Sequence, residues 1–186
     1  QLGQTVEFPE NGYHGHDIIE TAERIVRIYG DRFLNMSEEE RLKEFRTIAL
    51  KEKLAALKED LEAFNVTYDE WFSEQTLHDA NAIKNACDLL TERGYLYEEG
   101  GALWLKATEY GDDKDRVVIR DNGVPTYFAA DIAYHQDKYA RGFDRVINLW
   151  GADHHGYIAR MKAAVGALGY HPDQLEVLIL QMVSLY

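Results

Sequence analysis

The segment from Arg145 to Val183 constrains the fold more than any other, because it runs strand, helix, strand within roughly forty residues. The apolar run RVINLW (145–150) is followed by a glycine, by a helical pattern from Gly156 to Leu168 closed by Gly169, and by EVLILQMV (176–183), which has the composition of a buried strand. Two strands joined in this way form a parallel βαβ unit with a right-handed crossover. The fold class is therefore α/β. A doubly wound sheet needs more strands than this half supplies, so the sequence predicts a piece of a larger protein.

Upstream the periodicity is helical. Ile18, Ala22, Ile25, Val26 and Tyr29 form one apolar stripe, and Gly30 can close that helix in a left-handed conformation. Before it, the glycine- and polar-rich stretch FPENGYHG reads as a loop. Ser37 and Glu40 have the spacing of a capping box, and Leu50, Leu54, Leu57, Leu61 and Phe64 continue as a stripe. The spacing predicts one amphipathic helix from Ser37 to about Phe64, roughly 40 Å long. A third helix is expected over Asp79–Arg93, with Ala80, Ile83, Cys87 and Leu90 on one face and Gly94 at its end. The period then changes to two: Tyr95–Tyr97 and Ala102–Leu105 flank EEGG, and Arg116–Arg120 precede DNG, which predicts a small antiparallel sheet. After Pro125 a helix is expected over Tyr127–Tyr139. The organisation is therefore a mainly helical region over 1–94, a small antiparallel β region over 95–125, and a parallel α/β core over 126–186.

Charge narrows the function classes. Lys and Arg number 20 against 33 Asp and Glu, a net charge of −13, which argues against a surface built mainly to bind phosphates. The longest wholly apolar run is Val177–Leu180, far short of the roughly 20 residues that span a bilayer, and no signal-peptide series opens the chain. A cytoplasmic protein with no membrane partner is expected. The single cysteine, Cys87, can form neither an internal disulfide nor a cysteine-based metal cage, and its place on an apolar helix face makes it a core residue.

In open parallel sheets, ligands bind at the carboxyl ends of strands, where a following helix offers free N–H groups. Here RVINLW leads into GADHHG. Gly151 lets a ligand approach the backbone, and Asp153 is placed to accept from a pair of sugar hydroxyls. His154, His155 and Gly156 are expected in the first helical turn, beside a base or phosphate. The competing structural reading makes Asp153 a helix cap and the histidines surface residues. A metal site is disfavoured because adjacent helical residues diverge by about 100°.

A second constellation lies in PTYFAADIAYH. Tyr127 and Asp131, four residues apart, share a helix face, while Phe128, Ile132, His135 and Tyr139 form a separate apolar stripe. A carboxylate with a phenol one turn before it suits a planar cation, although such a pair also occurs as surface decoration. His135 reads as a core histidine. YHGH (13–16) departs from a His-x-Gly-His nucleotide motif at Tyr13, and GDDKDR (111–116) reads as a turn whose acids Lys114 and Arg116 neutralise.

Taken together, ALWLKATEYGDDKDRVVIRDNGVPTYFAADIAYHQDKYARGFDRVINLWGADHHGYIARMKAAVGALGY followed by LEVLILQMVSLY resembles the catalytic domain of bacterial-type arginyl-tRNA synthetases, which are class I enzymes. The likeness is long and specific over Ala102–Tyr186. It is weaker upstream, where YHGHDI and YDEWFSE resemble the borders of a helical region inserted into the Rossmann-like nucleotide-binding fold of that family.

The resemblance implies an arginine-tRNA ligase. Such an enzyme activates arginine with ATP, as a substrate accompanied by Mg2+, to arginyl-adenylate and passes the arginine to tRNA(Arg), which it contacts mostly through other domains. It implies that Tyr127 and Asp131 read the guanidinium, that Gly151 and Asp153 lie beside the ATP ribose, and that His154, His155 and Gly156 contact the adenosine side. No tightly bound cofactor and no resident metal are implied. The family's His-Ile-Gly-His-like and Lys-Met-Ser-Lys-Ser-like motifs do not occur here. The chain is therefore expected to begin after the first and end before the second, and alone to be inactive. The alternatives are a non-catalytic binding module of the same fold, with the long helix as a docking surface, and a metal-dependent hydrolase using Asp153, His154 and His155.

Overall fold

The computed structural model describes Glu10 and residues 12–184, so Phe8, Pro9 and Asn11 of the FPENGYHG stretch lie outside the described residues. The chain divides into two compact units between Trp71 and Phe72.

In the first unit, α1 (His16–Tyr29) ends at Gly30, whose φ of +57° lets its N–H reach the Val26 carbonyl at 2.8 Å. Ser37 and Glu40 form the expected capping box at the start of α2 (Glu38–Ala63): Ser37 Oγ accepts from the Glu40 N–H, and the Glu40 carboxylate accepts from the Ser37 N–H at 3.1 Å. The packed face of α2 differs from the expected one. Leu50, Leu57 and Phe64 are exposed, and no residue of α2 is buried. Of the expected stripe Leu61 is half-buried, and the half-buried positions also include Phe45, Ile48, Ala49 and Glu52, which share a second 3.6-residue stripe. That stripe carries the partners of α1 and of the turn after it. Phe45 meets Phe33 edge to face at 5.1 Å, and Glu52 accepts from Thr21 Oγ1 at 2.8 Å and from Arg24 Nε at 3.1 Å. These donors hold the Glu52 carboxyl down at about 2.

The second unit carries both sheets. The helix expected over 79–93 is two: α3 (Gln75–Asp79) and α4 (Ala82–Glu92) are separated at Asn81, whose φ of +52° is left-handed. Asparagine tolerates that conformation, and helical spacing does not reveal it. On α4, Ile83, Ala86, Cys87 and Leu90 are buried, and burial pushes the Cys87 thiol up to about 11. Both helices, although grouped by sequence with the helical segment, pack with α5 in this unit.

Strands β1 (Leu96–Glu99), β2 (Ala102–Leu105) and β3 (Arg116–Ile119) form the antiparallel sheet in the order β1-β2-β3. In the loop before β3, buried Asp112 accepts from Arg116 Nε at 2.6 Å and from Arg116 Nη2 at 2.8 Å, so GDDKDR is a braced turn. Helix α5 (Tyr127–Ala140) buries Phe128, Ile132, His135 and Tyr139, the stripe expected of it.

Strands β4 (Val146–Gly151) and β5 (Leu175–Leu180) pair in parallel, Val146 opposite Leu175 and Gly151 opposite Leu180, with α6 (Ile158–Ala167) between them in sequence. β5 stops short of Val183 because its partner ends at Gly151, which leaves later residues no strand to bond among the described residues. Gly166 on α6 admits the Tyr110 ring: a Cβ there would lie 2.4 Å from Tyr110 Cδ1. Leu90, Leu105, Val118, Ile132, Met161, Val165 and Leu175 are fully buried and knit helices and sheets into one core. No helix among the described residues is long and apolar enough to cross a membrane.

Candidate functional site

Thr126 starts α5: its Oγ1 accepts from the Ala129 N–H at 3.4 Å and donates to the Val117 carbonyl at 3.1 Å. This ties the first turn to β3. Tyr127 therefore stands at the helix start, 84% exposed, and Asp131 follows one turn later, half-buried. Asp131 Oδ2 accepts a hydrogen bond from the Tyr157 hydroxyl at 2.7 Å. Oδ1 has no hydrogen-bond partner among the described residues. Burial pushes the Asp131 carboxyl up from its ordinary value, and the Tyr157 donor opposes that rise.

The end of β4 supplies the other group. A Cβ on Gly151 would lie 2.6 Å from Asp153 Oδ1, so the missing side chain is what lets the carboxylate fold back over the strand end. Asp153 Oδ2 is 3.5 Å from His154 Nε2. The expectation that His154, His155 and Gly156 occupy the first turn of an α-helix needs correction. Ala152–Tyr157 is a 3-10 segment, and α6 begins only at Ile158. Short 3-10 turns are common at helix N-termini, and apolar periodicity does not distinguish them. Gly151, Asp153, His154, His155 and Gly156 are all exposed.

The two constellations meet through Tyr157. Its ring packs edge to face on Trp150 at 5.7 Å and on Phe128 at 5.9 Å, and the Arg160 guanidinium lies over it at 4.8 Å. Sequence reasoning does not single out Tyr157. Its only signal is an aromatic at the end of GADHHGY, which reads equally well as core.

Chemically, Asp131 offers an open carboxylate oxygen in a half-buried setting, where a charge-assisted bond to a cation is stronger than in water. Asp153 offers an exposed carboxylate at a strand end, and the surrounding backbone has no side chain at Gly151 or Gly156. No cluster of three or more His, Cys, Asp or Glu able to hold a metal ion occurs among the described residues.

Residues 19–183 match the family model described as tRNA synthetases class I (R), catalytic domain. The chain belongs to that family. Among curated relatives of this synthetase family, the arginine–tRNA ligases of Carboxydothermus hydrogenoformans and Desulforudis audaxviator are 57% and 58% identical over 185 residues, all of this chain and 33% of each relative. The chain thus spans about a third of the length of the curated relatives it matches. A solved chain from Campylobacter jejuni, described as an arginyl-tRNA synthetase, superposes with a TM-score of 0.88 at 42% identity, covering 98% of this chain and 40% of that one. The Thermus thermophilus arginyl-tRNA synthetase, at 21% identity, shares the fold with a TM-score of 0.64 over 86% of this chain and 34% of that one. The α/β architecture, a parallel strand pair beside a small antiparallel sheet, is that of class I synthetases.

Proposed function

We propose that this chain is part of the catalytic domain of an arginine–tRNA ligase, and that α5 and the end of β4 hold its arginine and the adenosine half of its ATP. The observation that carries this reading is the half-buried Asp131 carboxylate, one turn into α5, with one oxygen bound by Tyr157 of the turn that follows β4 and the other open.

Asp131 binds the guanidinium of arginine by a charge-assisted hydrogen bond through its open oxygen, and exposed Tyr127 lies against the same planar cation. Gly151 and Asp153 take the ribose, Asp153 accepting from its hydroxyls, while His154, His155 and Gly156 lie along the adenosine. Held in this way, the arginine carboxylate attacks the α-phosphorus of ATP, which arrives with Mg2+. The bond from that phosphorus to the α,β-bridging oxygen breaks, pyrophosphate leaves with the bonding electron pair, and arginyl-adenylate forms. The tRNA(Arg) ribose hydroxyl then attacks the activated carbonyl and releases AMP. What these residues contribute is positioning, the larger part of catalysis when the reactants are already charged. Residues 126–186 are then the second half of the nucleotide-binding core, 95–125 the small β region and 1–94 the inserted helical region, in a cytoplasmic enzyme.

The test is exchange of labelled pyrophosphate into ATP by the full-length protein with tRNA(Arg) present. Exchange that requires arginine, and that lysine does not support, is the expected result. Exchange supported equally by lysine, or none with any amino acid, refutes the reading.

A further inference from the structure

We infer that Tyr157 is a positioning residue for arginine selection: it fixes the Asp131 carboxylate with one oxygen left open to the substrate. The inference rests on the reading of Asp131 as the guanidinium ligand.

Three observations carry it. The Tyr157 hydroxyl donates to Asp131 Oδ2 at 2.7 Å across 26 residues of sequence, while Oδ1 has no hydrogen-bond partner among the described residues. A carboxylate with one oxygen anchored and the other open has lost the freedom to rotate away, so less is spent on ordering it when a cation arrives. The phenol is itself held, by Trp150 and Phe128 at its edges and by Arg160 over its face. Trp150 belongs to β4 and Tyr157 to the 3-10 turn after it, so the same aromatic that orients the arginine ligand sits on the segment proposed to hold adenosine. Tyr157 thereby fixes the distance between the two substrate subsites.

Burial raises the Asp131 carboxyl, and the charged groups around it divide: Glu74, before α3, raises it further, while Lys138 on α5 and His154 on the turn lower it. Besides these cations, the donor that favours the ionised form is the Tyr157 hydroxyl, since its proton bonds the carboxylate. His135 bonds the Asp131 main-chain carbonyl, at 2.8 Å, rather than its carboxylate, and Arg160 faces Tyr157. Without the hydroxyl, Asp131 takes up a proton at a higher pH, and the protonated acid no longer attracts a guanidinium.

The experiment is arginine-dependent pyrophosphate exchange by the full-length protein with tRNA(Arg), comparing Tyr157→Phe and Asp131→Asn with the unsubstituted enzyme, with arginine and ATP varied in turn between pH 5.5 and 8.5. Tyr157→Phe keeps the ring and its aromatic contacts and removes only the donor. The expected result is a KM for arginine raised about tenfold, a KM for ATP within about twofold, and an acid limb of kcat/KM for arginine displaced to higher pH. A purely structural role would lower kcat or raise both KM values together and leave the acid limb in place. That outcome overturns the proposal, as does an unchanged KM for arginine in Tyr157→Phe when Asp131→Asn raises it. If Asp131→Asn itself spares arginine use, the reading of Asp131 falls and this inference with it.

Discussion

Asn148 Nδ2 donates to His135 Nε2 at 2.8 Å, joining the middle of β4 to α5 inside the core. The other imidazole nitrogen, Nδ1, bonds the Asp131 carbonyl at 2.8 Å, and Lys138 Nζ donates to Asn148 Oδ1 at 3.1 Å. Every donor meets an acceptor only if the ring is neutral with its proton on Nδ1. This buried network fixes the turn of α5 that carries Asp131 relative to the strand whose end carries Gly151.

Burial, and then the nearby Lys138, hold the His135 imidazole down at about 4, below the ordinary 6.5. The folded state therefore resists a proton that the unfolded chain accepts. Stability is full above pH 6.5 and falls as pH drops from 6.5 toward 4, by about 2 kcal/mol between pH 7 and pH 5. Opening free energies of β4 and α5, from native-state amide exchange of the full-length protein at the two pH values, give the comparison. The drop should be largely absent in His135→Gln, and an equal drop in that variant would show that another group titrates.

Leu90 is fully buried on α4 among the core residues that face both sheets. Leu90→Ala is expected to cost about 2–5 kcal/mol, whereas Leu57→Ala, on the exposed stripe of α2, should stay within about 0.5 kcal/mol. Urea unfolding of the two variants side by side measures this. A larger loss at Leu57 would mean that the exposed stripe is covered in the full-length protein.

Much of this architecture is legible locally. The Ser37–Glu40 box and the buried stripe of α5 follow from spacing alone, because each depends on residues within a few turns of one another, and the two parallel strands follow from the strand–helix–strand order. Asn81 breaks a helix without breaking its apolar period, so composition cannot place the break. On α2, two apolar stripes compete, and only the position of Thr21, Arg24 and Phe33 in another part of the chain decides between them. For the candidate site, Tyr127, Asp131, Gly151 and Asp153 stand out by type and spacing. Tyr157 does not, since its meaning lies in a contact made 26 residues away.

Gly151 has an ordinary φ of −68°, so replacing it meets no backbone strain, only the Asp153 carboxylate where a Cβ would sit. Gly151→Ala should therefore leave stability nearly unchanged while displacing Asp153. The KM for ATP is expected to rise about tenfold with the KM for arginine within about twofold. Pyrophosphate exchange by the full-length variant separates the two. An increase confined to arginine would place Gly151 in the wrong subsite.

Arginine recognition turns on Asp131 as the ligand of the guanidinium, and Asp131→Asn in the full-length protein tests this most directly. The substitution preserves size and removes the charge, so the charge-assisted bond to the cation is lost. That costs about 1.5–3 kcal/mol, or roughly 10- to 150-fold in kcat/KM for arginine. ATP makes no contact with Asp131 in this arrangement, so its KM should stay within about twofold. Arginine-dependent pyrophosphate exchange, with each substrate varied at saturating levels of the other, gives both numbers. A large loss confined to arginine is the predicted result; an equal loss for the two substrates, or no loss at all, contradicts the account.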